Sequence, residues 1–477
     1  MKKITVVYDD SVKPDREIRS ITGDKSYGET IFKRVTLADR MADVLYKDKS
    51  VSRIIRVNSE DGVYAIPDEI EGRSGNSIIH FYSNFGLSDV DEFLTIVKKA
   101  RFVNENYTAF CDGKPVLSIF PDSESYEKVL SEVVSREYRA DKIDNNCFTD
   151  LSVRANFLNF ITSGFDARFF NALEGDEYTV TKKSSKVEKI HAEYEFYKLL
   201  PDDMKQWFVE PYDYEEDGEG ASYKMERYHM TDVAIRFVHG AVDEAELKDL
   251  LDKLFYFISI RAKKAVSADA GKKKADELYI EKLDARMEEL KKDGSYDKYD
   301  NLIKNGTKYS GLDEVIEMYK SLYEKLSDKR KYDALVVGHG DLCFSNILYS
   351  KEASLLRLID PKGAMNEEEL YTDPYYDVCK LSHSVCGSYD FFNSGLYEIT
   401  YDRDLNLNLH IDSEEGDRIK LFKTYLKKNG FDPELVRLYE AGLFLSMMPY
   451  HMDQPGKVLG FLLNAVRIME EVEKDAV

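Results

Sequence analysis

Five cysteines in 477 residues, with no CxxC pair among them, leave little material for a disulfide scaffold or a zinc ribbon. Cys111, Cys147, Cys343, Cys379 and Cys386 therefore point to a reduced, cytoplasmic protein. No run of about 18 uncharged apolar residues exists, which argues against a transmembrane helix. The N-terminal run Ile4–Tyr8 reaches Asp9 and Asp10 too soon for a secretory signal. Positive charge is also in deficit: 67 basic against 89 acidic residues give a formal net charge of −22. Such a chain repels phosphate backbones, so nucleic acid is not expected as a partner. The acidity otherwise serves solubility and does not choose a substrate. Tryptophan is nearly absent, with Trp207 alone, whereas 33 tyrosines are present. They could cage a quaternary ammonium, although at this abundance most are core or surface residues.

What is present predicts two or three domains. Residues 1–140 alternate strands and helices: Ile4–Tyr8, a helix over Thr30–Leu45, strands at Ile54–Val57 and Ile78–Tyr82, and a helix behind the capping pair Ser88 and Asp91. Tyr107–Cys111 and Val116–Phe120 flank Asp112-Gly113 as a hairpin. The turn after the first strand is Asp9-Asp10-Ser11-Val12-Lys13-Pro14, without the glycines that let backbone N–H groups meet nucleotide phosphates. Gly23-Asp24-Lys25-Ser26 lacks the first glycine of a Walker A loop. This α/β domain resembles degenerate nucleotidyltransferases of cell-envelope gene clusters, and no active site is expected in it. The polar stretch Asp141–Asp150 is the expected boundary.

Beyond it, Phe169–Leu173, the turn Gly175-Asp176 and Tyr178–Lys182 read as a hairpin. A helix follows with Val187, Ile190, Tyr194 and Tyr197 on one face, stopped by Pro201. The acidic loop Glu215–Gly220 leads into a strand at Ser222–Tyr228. From Val242 to about Arg330 the chain is helical and charge-dense, with Tyr279, Leu283, Met287 and Leu290 marking one helix and Val315, Met318, Leu322 and Leu326 another. These helices could wall a substrate site; packing alone is the plainer reading.

The sharpest signal is His339-Gly340-Asp341-Leu342-Cys343-Phe344-Ser345-Asn346 between apolar segments. A carboxylate five residues before an amide suits phosphoryl transfer: Asp341 accepts a hydrogen bond from an attacking hydroxyl, and the Asn346 amide oxygen helps hold Mg2+ on phosphates. Leu358-Ile359-Asp360 then delivers a second hard oxygen ligand. An isolated His-Gly-Asp is an ordinary loop more often than a site; the ordered set Asp341, Asn346, Asp360 and Asp377 is not.

That set resembles the aminoglycoside phosphotransferase and choline kinase superfamily, which has a protein-kinase-like fold. Asp373-Pro374-Tyr375-Tyr376-Asp377-Val378-Cys379-Lys380-Leu381 resembles its Asp-Pro-x-Tyr-Asp-Leu-Ala segment, and Asp377-Val378-Cys379-Lys380-Leu381-Ser382-His383-Ser384 resembles phosphotransferases encoded with bacterial capsule and lipopolysaccharide genes. The resemblance covers about residues 150–477. It implies an α+β bilobal kinase-like domain: an N-lobe at 150–230 and a largely helical C-lobe at 231–477, with a helical insertion at about 262–330.

The resemblance further implies that Asp377 ties down the catalytic loop. A strand lysine should steady the α- and β-phosphates of ATP, oriented by a helix glutamate. Strand alternation and family spacing favour Lys182 with Glu193, with Lys183 left open; Glu195 lies on the same helix. Val180, on the same strand face as Lys182, could pack against adenine. Met225-Glu226-Arg227-Tyr228 would be the hinge that reads the adenine edge, so Met225, Glu226 and Tyr228 join the nucleotide site. The glycine-rich loop is missing; Ala167-Arg168-Phe169-Phe170-Asn171 takes its place. For the acceptor, His383, Tyr389, Asp390 and the cluster Tyr450-His451-Met452-Asp453 are the candidates.

The expected function is ATP- and Mg2+-dependent phosphorylation of a small-molecule hydroxyl, on a sugar or amino alcohol of capsule or lipopolysaccharide synthesis. Partners are thus a nucleotide and a small hydroxyl acceptor, with no membrane insertion. The alternatives are a nucleotide-binding scaffold or sensor without transfer, an antibiotic phosphotransferase, and a bifunctional kinase–nucleotidyltransferase, whose pyrophosphate release is not expected.

Overall fold

The computed structural model describes residues 2–70, 75–162, 171–176, 178–413 and 416–475. The chain forms two compact units, Met1–Asp166 with His239–Ala241, and Ala167–Val238 with Val242–Val477.

In the first unit, β1 (Ile4–Asp9) is buried along its whole length, so both of its faces must be covered. It lies between two parallel neighbours, β2 (Val51–Val57) and β3 (Ser77–Tyr82). The hairpin of β4 (Tyr107–Cys111) and β5 (Lys114–Phe120) extends the sheet, and β6 (Asp141–Ile143) closes its edge, in the order β2-β1-β3-β5-β4-β6. The expected boundary at Asp141–Asp150 thus holds two strands, β6 and Phe148–Asp150. Edge strands face water and carry polar residues, so in sequence they look like a linker. The helix expected from Thr30 is α1 (Leu37–Leu45), capped by Thr36, whose side chain accepts the Asp39 N–H. Lys33 and Arg34 have φ of 48° and 71°, and this left-handed pair makes Ile31–Thr36 a small hairpin instead. In α2 (Val90–Ala100) the cap is Asp89, not Ser88: its carboxylate accepts the N–H groups of Asp91 and Glu92.

The second unit opens with a four-stranded antiparallel sheet. Its strands are β7 (Asn171–Gly175), β8 (Thr179–Ser184), β9 (Pro211–Asp217) and β10 (Gly220–Glu226), in the order β7-β8-β10-β9. The acidic residues Glu215 and Glu216 therefore lie in a strand, and Arg227 and Tyr228 lie past the end of one. Phe169 and Phe170 of the expected hairpin fall outside the described residues. Between β8 and β9 runs α3 (Val187–Leu199), which buries Ile190, Glu193 and Phe196 at a spacing of three.

The remainder is mostly helical around one apolar core. It includes α4 (Glu244–Ile260), α5 (Lys282–Lys292) and α6 (Leu312–Leu326). Among these helices lies one short strand, Lys263–Ala265. It pairs antiparallel with β11 (Ala334–Val337). The hairpin β12 (Ile347–Ser350) and β13 (Leu355–Leu358) follows, then α7 (Tyr376–Val385) and the packed pair α8 (Pro433–Met447) and α9 (Pro455–Asp475). The second unit is thus an antiparallel sheet bearing one helix, followed by a helical lobe with a small hairpin. All five cysteines are free thiols, and no described helix is long and apolar enough to cross a membrane.

Candidate functional site

The site begins with the parity of β8. Alternation turns Lys182 inward, 3% exposed at its side chain, and Lys183 outward, 45% exposed and 3.5 Å from Asp217. Lys182 Nζ stands 2.7 Å from Glu193 Oε2 and 2.8 Å from Asp360 Oδ1. Tyr223 donates to the same Glu193 oxygen at 3.0 Å. Burial would lower the Lys182 pKa, but the Asp360 and Glu193 carboxylates outweigh it and hold the ammonium above its ordinary value. Glu195 faces elsewhere and pairs with Lys198 at 2.8 Å.

The strand β11 delivers His339-Gly340-Asp341, and the loop is tied down by Asp377. One oxygen of Asp377 accepts the His339 N–H at 2.9 Å and the other the Gly340 N–H at 2.8 Å. Arg261 completes the knot at 3.0 Å, and both side chains are buried. His339 Nε2 donates to the Ile359 carbonyl at 2.9 Å, while Nδ1 accepts the Asp341 N–H at 3.2 Å. This network fixes the neutral tautomer, and burial keeps the imidazole pKa low. Gly340, at φ +81°, has Lys362 Cβ only 2.5 Å from where its own Cβ would be, so no larger residue fits that turn.

Asn346 donates through Nδ2 to the Asp341 carbonyl at 2.8 Å and to Asp341 Oδ2 at 3.2 Å. The amide nitrogen is thereby committed, which leaves the amide oxygen as the donor for a cation. Asp360 lies at the same end of the β12–β13 hairpin, since Ile359 N–H bonds the Asn346 carbonyl at 3.1 Å. Its φ is 56°, a tight left-handed turn, and its side chain remains 43% exposed. Just beyond, Ala364 N–H bonds the Ala192 carbonyl at 3.0 Å, docking this loop onto the helix that carries Glu193. Among the described residues no three His, Cys, Asp or Glu side chains cluster closely enough to hold a metal alone. Two hard oxygen donors completed by phosphate oxygens and water are what Mg2+ accepts.

Met225 is half-buried opposite Val180 in the β8–β10 pairing, and Glu226 is exposed at the strand end. Tyr228 is half-buried under Arg357, 5.6 Å from its ring centroid. Among the described residues Lys182 bonds Glu193 and Asp360 and none of these three. The stretch 167–170 that stands in for a glycine-rich loop lies outside the described residues.

Of the acceptor candidates, His383 is fully buried, 4.3 Å from the Tyr389 ring and 4.0 Å from that of Phe444, with neither ring nitrogen hydrogen-bonded. Tyr450 is exposed over Arg286, whereas His451 is buried against Phe461. Met452 packs against the core and Asp453 begins the turn into α9. Trp207 packs on Tyr256 and Phe257, so it builds no cage beside Asp341.

Asp390 is 2% exposed, and burial, more than Ser384 and Arg418 offset, raises its carboxyl from 3.8 to about 7. Nearby Asp232 is also raised to about 7, first by burial and then by the Asp390 charge. A raised carboxyl keeps its proton in the native state after the unfolded chain has lost it. Stability is therefore greatest below the unfolded pKa and falls as pH rises from about 4 to 7. Urea unfolding at pH 5 and pH 8 should show this loss in the parent, and Asp390→Asn should reduce it by on the order of 1 kcal/mol or more. An equal loss in the variant would refute the assignment.

Sequence reading did not single out Lys380, whose Nζ stands 2.9 Å from Asp341 Oδ1 at 13% side-chain exposure. Burial raises the Asp341 carboxyl, but Lys380 more than compensates and holds it below its ordinary value. The available signal was a lone cation among the otherwise uncharged residues that follow Asp377 in α7.

In the first unit, Asp10 accepts from Ser26 at 2.6 Å, the Gly28 N–H at 2.8 Å and Arg56 at 2.7 Å. Asp9 lies 3.2 Å from His80 Nε2 and accepts the Ser11 N–H at 2.9 Å. Both carboxylates thus hold their own loop.

No protein-family model matches the sequence. No curated protein matches it. Among solved structures, a thermostable mutant of the aminoglycoside phosphotransferase APH(4)-Ia, in a ternary complex with ADP and hygromycin B, is 11% identical at a TM-score of 0.39, over 65% of this chain and 97% of that one. The aminoglycoside phosphotransferase APH(3'')-Id from Streptomyces rimosus is 13% identical at 0.35, over 62% and 97%. Rad53 1-466 in complex with AMP-PNP is 12% identical at 0.21, over 75% and 79%. Similarity this slight adds no weight to the arrangement of strands, helices and side chains described above.

Proposed function

We propose that this chain is an ATP- and Mg2+-dependent kinase that transfers the γ-phosphate to a hydroxyl of a small molecule. The observation that carries the reading is the Lys182 ammonium, bridging Glu193 at 2.7 Å and Asp360 at 2.8 Å. A nearly buried cation, oriented from a helix and facing an exposed carboxylate, is suited to the α- and β-phosphates of a nucleotide. Asp360 and Asn346 would hold Mg2+, which neutralises phosphate charge when bound. Asp341 would orient the acceptor hydroxyl and take its proton, and His339 and Asp377 would keep that loop in place. The backbone at Met225–Tyr228 would read the base. The acceptor is a sugar or amino alcohol of capsule or lipopolysaccharide synthesis, a choice that rests on the sequence resemblance, and the five free thiols suit a cytoplasmic setting.

Calorimetric titration with ATP, with and without Mg2+, tests this without an acceptor. Magnesium-dependent binding is expected in the parent and is expected to be lost in Asp360→Ala. Binding that ignores Mg2+, or survives the substitution unchanged, would overturn the metal assignment; no nucleotide binding would overturn the kinase reading.

A further inference from the structure

One helix face beside Asp341 carries more positive charge than Asp341 needs. Tyr376 and Lys380 stand one turn apart on α7 and so share a face. Lys380 donates to Asp341 and, among the described residues, has no second protein acceptor. Tyr376, 5% exposed, accepts a hydrogen bond from Lys282 Nζ at 2.9 Å. Lys282 is half-buried and comes from α5, in the helical segment inserted at 262–330.

The carboxylates of α5 are engaged elsewhere: Asp284 pairs with Lys320 at 2.6 Å, Glu288 with Lys291 at 3.1 Å and Glu289 with Arg286, while Glu281, just before α5, is exposed to solvent. His383, one further turn along α7, is held neutral by burial and by Lys380. Along Lys282, Tyr376, Lys380 and Asp341, two cations thus face one anion. The phenol reports the excess: burial alone would raise the Tyr376 pKa, yet Lys380 and Lys282 bring it below its ordinary value. A half-buried ammonium whose hydrogen-bond partner is a phenol oxygen, not a carboxylate, retains its capacity for an anion.

The geometry points to an acceptor that bears an oxyanion, phosphate or carboxylate, besides the hydroxyl to be phosphorylated, with Lys282, Tyr376 and Lys380 as its binding site. This rests on the kinase reading above and narrows it to an acidic or phosphorylated sugar. Like charge at the same place disfavours polycationic or quaternary-ammonium acceptors.

The test uses the full chain saturated with Mg2+ and AMP-PNP, so that the nucleotide phosphate site is filled, and titrates inorganic phosphate and, separately, glucuronate. One equivalent of at least one probe should bind. Lys282→Gln and Tyr376→Phe should each weaken that binding about ten- to a hundredfold, the loss of a hydrogen bond to a charged group. Their thermal unfolding and AMP-PNP affinity should match the parent. The preferred probe distinguishes phosphate from carboxylate. No binding of either probe, or equal affinity in parent and Lys282→Gln, would overturn the proposal. A parallel loss of AMP-PNP affinity in Lys282→Gln would also overturn it, by assigning the lysines to the nucleotide. Failure of the parent to bind Mg2+ and AMP-PNP would instead sink the kinase reading, and the acceptor assignment with it.

Discussion

Asp341→Ala is expected to slow phosphoryl transfer about 10²–10⁴-fold, the range for loss of a positioned general base. The Asp341 side chain is 45% exposed, so a hydroxyl can reach it, while Lys380 and Asn346 fix its two oxygens at 2.9 and 3.2 Å. Those same contacts require a control. The alanine variant leaves Lys380 without its carboxylate at 13% exposure, and part of any loss could come from a displaced lysine. Asp341→Asn keeps the shape and a hydrogen-bonding oxygen but cannot take a proton, so it should lose nearly as much rate as alanine. Initial rates of ADP release over a panel of hydroxyl acceptors, with nucleotide affinity measured in parallel, decide the matter. Affinity should stay close to the parent, because Lys182 and Asp360 are the groups proposed to hold the nucleotide. A full-rate Asp341→Ala enzyme would remove the base assignment.

The centre of this site was legible because its groups are close in sequence or fixed by parity. Asp341 and Asn346 belong to one loop, and Asp360 follows across a short hairpin whose register Ile347–Leu358 sets. Strand alternation favours Lys182 but leaves Lys183 open; the structure turns Lys182 inward at 3% side-chain exposure and Lys183 outward at 45%. The rim was not legible. Lys282 and Tyr376 are 94 residues apart, and only the packing of α5 near α7 brings them within 2.9 Å. Helical periodicity marked Leu283, Met287 and Leu290 as a buried face, but it gives no reason for the preceding lysine to face a site rather than solvent. The same blindness to tertiary context misplaced the start of α1. Ile31 fits the helical spacing, and the left-handed pair at Lys33 and Arg34 that ends any such helix has no signature in residue type. Around Asp141 the difference runs the other way: polar residues that suggest a domain boundary form a sheet edge.

Asp377→Ala is the substitution with the largest expected effect on stability, about 3–5 kcal/mol, because it strips a buried ion of its partner. Three donors converge on this carboxylate: the N–H groups of His339 and Gly340 and the Arg261 guanidinium. Arg261 is not free to leave, since it also donates to the carbonyls of Ile258 at 3.1 Å and Pro374 at 3.0 Å. Its charge would stay buried, and two backbone donors would lose their acceptor. Urea unfolding measures the loss, and Arg261→Met in the same background separates its parts. If the uncompensated charge dominates, the double variant should recover stability relative to Asp377→Ala. If the two backbone donors dominate, it should not. Transfer should be lost in both cases, because neither variant holds Gly340 and Asp341 in place. Nucleotide binding should persist in whatever fraction remains folded, since Lys182, Glu193 and Asp360 do not touch the Arg261–Asp377 knot. A stable, active Asp377→Ala enzyme would mean that the catalytic loop keeps its shape without the carboxylate.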